Sequence, residues 1–244
     1  MKSQYMIIKE MKNGIKGFQS VSLIDYPDNI SSIVFFSGCN FRCPFCHNKD
    51  LVAENKKIPY MDTNYVLKEI DERKKIIDGV CITGGEATIC PWLADFIREI
   101  KKKGLKVKLD TNGTMPDVVK ALIEEKLVDY IAMDIKAPKK KYSTLSGIKN
   151  PPMNKIEESI HLIKSSGIDY EFRTTVIPKY LSKEDMVSIA KWLDGAKRYS
   201  IQQFRPINTL DETLEKEKSY SISELEEMKK EVESYFDICE IKGI

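Results

Sequence analysis

The chain has 244 residues, 42% hydrophobic and 31% charged, with 39 basic against 37 acidic side chains and a net charge of +2. This balance suits a globular protein rather than a disordered or membrane one and carries no global bias toward nucleic acid or a membrane surface. No apolar run is long enough to span a bilayer, and residues 1–10 lack the apolar core and cleavage site of a signal peptide, so one cytoplasmic domain is expected.

Residues 11–29 contain Gly14-Ile-Lys-Gly-Phe-Gln-Ser20 and Val21-Ser-Leu-Ile-Asp-Tyr-Pro27, which read as a hairpin or extended segment packing across the first core strand. The β-branched and aromatic run at 31–36 predicts that strand, and Ser37-Gly38 breaks it. Residues 49–60 form an irregular connection. From Asp62, a plausible cap, the apolar positions Tyr65, Val66, Ile70 and Ile76 or Ile77 predict a helix. Val80-Cys-Ile-Thr83 is a second strand running into Gly84-Gly85-Glu86.

A helix is predicted from Pro91 to Lys103, with Gly104 as its stop. Its Lys101-Lys102-Lys103 end suits the helix dipole, and no aromatics interleave to suggest a nucleic-acid site. The unit then repeats. A strand at 105–109 ends at Asp110-Thr-Asn-Gly113, and a helix covers 116–126. A strand at 128–133 ends at Asp134-Ile-Lys136, with a loop at 138–152 and a helix at 153–166 closed by Gly167. Further strands are expected at 170–177 and 199–204, and a helix at 183–193. Residues 206–220 read as loop, 221–236 as a helix opened by Ser221 or Ser223, and 237–241 as a short strand. Six strands alternating with helices imply an α/β fold with a parallel sheet, curved into a partial barrel or left open. The polar segments after the first four strands fall on the C-terminal rim, where barrel enzymes keep their sites.

The first of these rim segments holds Cys39, Cys43 and Cys46, spaced Cys-x3-Cys-x2-Cys, with His47 directly after. Structural zinc takes four closed ligands, and His47 abuts Cys46 too closely for both to take tetrahedral corners easily. Iron–sulfur clusters are held by thiolates, and three ligands on a four-iron cluster leave one iron open for a substrate or cosubstrate. Three unrelated buried cysteines are the bland alternative. Of the rest, Cys81 reads as a core residue in its strand, and neither Cys90 nor Cys239 has the spacing of a second cluster. His161 reads as a surface or packing residue.

Together, Cys39-Asn-Phe-Arg-Cys43-Pro-Phe-Cys46-His47-Asn48, Gly84-Gly85-Glu86, Asp110-Thr-Asn-Gly113 and Asp134-Ile-Lys136 resemble the radical S-adenosylmethionine (SAM) activases of glycyl-radical enzymes. Gly17-Phe-Gln and Leu23-Ile-Asp-Tyr-Pro27 resemble the short subgroup of anaerobic ribonucleoside-triphosphate reductase activators; the pyruvate formate-lyase activase is more remote. The resemblance implies a partial (β/α)6 TIM-like barrel of the radical SAM type. It implies a [4Fe–4S] cluster on Cys39, Cys43 and Cys46, with SAM on the open iron. Gly84, Gly85 and Glu86 would meet the methionine amino group of SAM, although Ala87 stands where the family usually has proline. Phe45, before the third cysteine, would lie near the adenine, with Phe41 also shielding the cluster.

The resemblance further implies a monovalent cation at Asp110, Thr111 and Asp134 beside the SAM carboxylate; read alone, the aspartates are turn or cap residues. Lys136 would reach the SAM carboxylate or the substrate backbone, and Arg173 would lie near SAM or form a surface ion pair. Gln203 and Arg205 are further rim candidates. The implied reaction cleaves SAM reductively to methionine and a 5′-deoxyadenosyl radical, which takes hydrogen from a glycine of a partner glycyl-radical enzyme such as anaerobic ribonucleotide reductase. A flavodoxin- or ferredoxin-type electron donor is implied, and neither nucleic acid nor membrane. One alternative is a radical SAM enzyme acting on a small molecule or peptide, which a longer segment than the roughly forty residues after Phe204 would favour. The other is a non-catalytic iron–sulfur or zinc protein that binds a partner.

Overall fold

In this computed structural model, residues 14–53 and 55–244 are described, and the signal-peptide reading of residues 1–10 lies outside them. The residues gather into two compact units, one running to Asn40 and resuming over Asp50–Lys108, the other made of Phe41–Lys49 and Leu109–Ile244. The boundaries fall inside the cysteine loop, at the first residue of the short helix Lys49–Val52, and inside one strand.

In the first unit the expected extended segment is β1 (Ile15–Ser22), antiparallel to β2 (Ser31–Phe36) with Phe18 opposite Val34. After a short helix α1 (Lys49–Val52) comes α2 (Thr63–Arg73), whose cap is Asp62: its carboxylate accepts the Asn64 and Tyr65 N–H groups at 2.8 and 3.0 Å. Strand β3 (Gly79–Gly84) pairs parallel with β2, Phe36 standing opposite Gly84. Helix α3 (Leu93–Lys101) buries Leu93, Phe96, Ile97 and Ile100. Trp92 and Phe96 pack on Phe36 at ring-centroid distances of 5.4 and 5.9 Å, so the strand that delivers the first cysteine is anchored by aromatic contact.

Strand β4 (Lys106–Thr111) leads into the second unit. There α4 (Pro116–Glu124), β5 (Tyr130–Asp134), α5 (Tyr142–Ser146), α6 (Met153–Ser165), β6 (Asp169–Val176), α7 (Lys183–Leu193), β7 (Ala196–Gln203), α8 (Ile222–Val232) and β8 (Phe236–Lys242) follow in order. Strands β5 to β8 pair successively, all parallel. Such strands are covered on both faces, which is why Ile131, Met133, Phe172, Val176 and Ile201 are fully buried. Serine opens both amphipathic helices α7 and α8 with a reciprocal capping box, Ser182 with Asp185 and Ser221 with Glu224, so Ser221 rather than Ser223 is the cap.

The loop expected at 138–152 contains a 3-10 turn at Lys139–Lys141 and helix α5, and the loop at 206–220 contains a 3-10 turn at Glu212–Lys216. The last helix stops at Val232, and β7 begins earlier than expected, at Ala196. Among the described residues no helix is long and apolar enough to cross a membrane.

Candidate functional site

In the first unit, the end of β2 and the end of β3 are stitched together by backbone. Gly85 donates its N–H to the Phe36 carbonyl and Glu86 to the Gly38 carbonyl, both at 2.8 Å. A Cβ on Gly85 would lie 1.9 Å from the Gly38 oxygen; one on Gly84, whose φ is +119°, would lie 2.3 Å from the Phe36 oxygen. The group these two glycines admit is the backbone that leads into Cys39. The Glu86 carboxylate is buried and caps the turn at Ala87–Ile89 through the Thr88 N–H at 3.3 Å.

In the second unit, Cys43 is buried and Cys46 half-buried, and all six cysteines of the chain are free thiols. The Cys46 N–H donates to the Cys43 carbonyl at 3.0 Å. The Arg42 N–H donates to the Ser146 carbonyl at 2.8 Å, and Gly147, with φ +68°, lies so close to the Arg42 carbonyl that a Cβ would fall 1.9 Å from it. On the other side a distant segment closes over the loop. Asp211 N–H donates to the Pro44 carbonyl at 2.8 Å, Leu210 N–H to the Cys46 carbonyl at 3.1 Å, and Asn208 Nδ2 to the His47 carbonyl at 3.2 Å. Phe41 and Phe45 are buried.

The strand-end charges of this unit form an alternating ladder. Lys136 Nζ lies 2.9 Å from Asp134; Arg173 Nε lies 2.9 Å from Asp134, and its Nη1 3.5 Å from Asp110. Register explains the meeting, because Asp134 on β5 stands directly opposite Arg173 on β6. Burial would push the Asp134 carboxyl up, but Arg173 and Lys136 outweigh it and hold it at about 2. Burial also opposes charge on Lys136, yet Asp134 keeps its ammonium well above the ordinary lysine range. That ammonium sits 5.9 Å from the centre of the Phe45 ring. Burial raises the Cys46 thiol, offset in part by the Asn48 N–H and the charge of Lys136.

Arg173 is therefore not a surface ion pair but a largely buried bridge between two carboxylates. A monovalent cation at Asp110 and Asp134 would share both with that guanidinium. Thr111 is buried and accepts the Gly113 N–H at 3.1 Å, so its hydroxyl serves the turn. Gln203 donates to the Tyr220 carbonyl at 2.5 Å and Arg205 to the Gly243 carbonyl at 3.3 Å, which ties these two rim candidates to the C-terminal segments. Cys81 is a core residue as expected, its sulfur 3.7 Å from the Lys108 ammonium, while His161 is exposed on α6. Sequence reasoning missed the segment 208–211, whose contacts at Leu210 and Asp211 are made by backbone N–H groups that leave no residue-type signal, and Ser146-Gly147, for which the glycine was the one available hint.

The radical SAM superfamily model matches residues 33–193. A Methanocaldococcus jannaschii protein, provisionally named a glycyl-radical enzyme activating enzyme, is 37% identical over 238 residues, 96% of this chain and 98% of that protein. The pyruvate formate-lyase-activating enzyme of Clostridium pasteurianum is 26% identical over 205 residues, covering 80% and 82% of the two chains. The crystal structure of Streptococcus suis SuiB shares the α/β fold at a TM-score of 0.65 and 15% identity; 85% of this chain aligns, spanning about half (47%) of SuiB. With more than half of its length matched, from the strand before the cysteines to the end of α7, the chain belongs to the radical SAM superfamily.

Proposed function

We propose that this radical SAM enzyme activates a glycyl-radical enzyme by taking hydrogen from a backbone glycine of that partner, with anaerobic ribonucleotide reductase the favoured partner. The observation that carries this reading is the end-to-end, 37% identity with the provisionally named activating enzyme. The choice of reductase rests on Gly17-Phe-Gln and Leu23-Ile-Asp-Tyr-Pro27. In this reading the chain works as one radical SAM domain in the cytoplasm, reduced by a flavodoxin- or ferredoxin-type carrier.

The donor chemistry fits a [4Fe–4S] cluster: Cys39, Cys43 and Cys46 are free thiols, soft ligands of the kind such clusters take. The charge of Lys136 acts on both Cys43 and Cys46 and offsets the negative charge that bound thiolates bring. When bound and reduced, the cluster supplies the electron that cleaves SAM to methionine and the 5′-deoxyadenosyl radical. The protein's residues bind, orient and exclude water. Lys136 offers a fixed cation to the SAM carboxylate, held in place by Asp134, which Arg173 in turn braces against Asp110. Gly84, Gly85 and Glu86 offer backbone oxygens to the SAM amino group while keeping the Cys39 backbone in register. Phe41 and Phe45, both buried, would keep water from the cluster, and Phe45 would lie near the adenine of SAM.

The test incubates the reconstituted, reduced protein and SAM with purified anaerobic ribonucleotide reductase or with pyruvate formate-lyase, and looks for a glycyl radical by electron paramagnetic resonance. A radical on the reductase supports the reading. A radical on the lyase alone reassigns the partner. Neither, with SAM still cleaved, moves the substrate to a peptide or small molecule.

A further inference from the structure

We infer that the segment Lys139–Lys149, together with Arg42, is the docking surface for an acidic one-electron carrier protein; this rests on the radical SAM reading above. Lys139, Lys140 and Lys141 follow Pro138 as a 3-10 turn, α5 continues the chain, and Lys149 closes it. All four lysines are exposed, as is Arg42, which lies between the first two cysteines. Lys139 pairs with Glu157 and lies 5.0 Å from the Trp192 ring centre, and Lys141 pairs with Asp185 at 2.6 Å. The five cations lie on two short stretches joined through Arg42 and Ser146, two of them paired with Glu157 and Asp185, in a chain whose whole net charge is only +2. The charge is local.

This patch is fastened to the cysteine loop. The Arg42 N–H bonds the Ser146 carbonyl, the Gly147 backbone rests on the Arg42 carbonyl, and Phe41 meets the Tyr142 ring edge-on at 6.4 Å. A protein held by these lysines would be seated beside the backbone that carries Cys43. An anionic partner gains both steering and orientation from such a patch. None of the five cations belongs to the Asp110–Arg173–Asp134–Lys136 ladder. The step is a single electron transfer. The carrier's reduced flavin or iron–sulfur centre is oxidised by one electron and the cluster on Cys39, Cys43 and Cys46 is reduced by one; no bond or proton moves.

The test uses the cluster-loaded enzyme, a bacterial flavodoxin as probe, and a Lys139→Glu/Lys140→Glu/Lys149→Glu variant. Flavodoxin binding is followed by calorimetry at low salt and at about 0.5 M salt, where a charge-driven complex weakens. The expected result is binding weakened at least about tenfold in the variant, with flavodoxin-driven 5′-deoxyadenosine formation falling in step and the dithionite-driven rate unchanged. A Lys229→Glu/Lys230→Glu variant on α8 should behave as the parent does. If the triple variant does not fold, Lys140→Glu/Lys149→Glu, which leaves the Glu157 and Asp185 pairs alone, carries the same expectation. Undiminished flavodoxin binding would overturn the proposal, as would loss of glycyl-radical-enzyme binding with flavodoxin binding intact. Failure of the parent to cleave SAM with dithionite would instead overturn the catalytic reading, and the binding isotherms would still decide the docking surface.

Discussion

Replacing Gly85 by alanine tests how the cysteine loop is held. The new Cβ would fall 1.9 Å from the Gly38 oxygen and 2.7 Å from its carbonyl carbon, both backbone atoms. To restore contact distance the Gly38 segment must retreat by more than about 1 Å. Overpacking of that kind costs about 1–3 kcal/mol. The retreat also lengthens the Glu86 N–H bond to Gly38 and strains the Gly85 N–H bond to Phe36, each worth about 0.5–1.5 kcal/mol. The sum is about 2–6 kcal/mol, which for a chain of this size lowers the melting temperature by roughly 4–24 °C. Gly104→Ala is the control: its φ is +81° but nothing lies within 4 Å of the added methyl, so the backbone cost of about 1 kcal/mol stands alone. Thermal melts of the two variants decide the matter, with iron content after reconstitution as a second reading. If Gly85→Ala is no more destabilising than Gly104→Ala, or loads iron as the parent does, the glycines do not position the loop.

Three further predictions concern the second unit. Because the Asp134 carboxyl is held at about 2, below its unfolded value, it stabilises the fold fully above pH about 4 and loses that contribution as pH falls toward 2. Urea titrations should therefore show the gap between the parent and Asp134→Asn, roughly 2 kcal/mol at neutral pH, closing across that window; a gap that widens on acidification would refute the ladder. Lys242→Met strands the buried Glu171, whose Oε2 lies 2.5 Å from the Lys242 ammonium and 2.6 Å from the Ser200 hydroxyl. The expected loss is about 3 kcal/mol by chemical denaturation, and Glu171→Gln in the same background should recover part of it. Leu210→Pro removes the N–H that holds the Cys46 carbonyl and should speed iron loss to a chelator by about fivefold; an unchanged rate would mean that residues 208–211 are bystanders.

Much of the fold is legible in the sequence because it rests on local rules. β-branched residues mark β2 and β3, Asp62 and Ser221 announce their caps, and Gly104 and Gly167 take the left-handed turns after their helices. The early start of β7 is hidden because Lys197 and Arg198 are charged, and only pairing with β8 makes that stretch a strand. At the site the residue types are visible but their partners are not. Arg173 and Asp134 are far apart in sequence, and what joins them is the register of β5 on β6. The glycines of Gly84-Gly85-Glu86 are readable as a close approach, but the approaching group is identified only by the three-dimensional path of Gly38.

The central claim is tested most directly by loading the protein with iron and sulfide under anaerobic conditions, reducing it, adding SAM, and measuring 5′-deoxyadenosine by chromatography beside a Cys43→Ala variant. The account predicts product from the parent and none from the variant. A fully loaded, reduced parent that leaves SAM intact would contradict it.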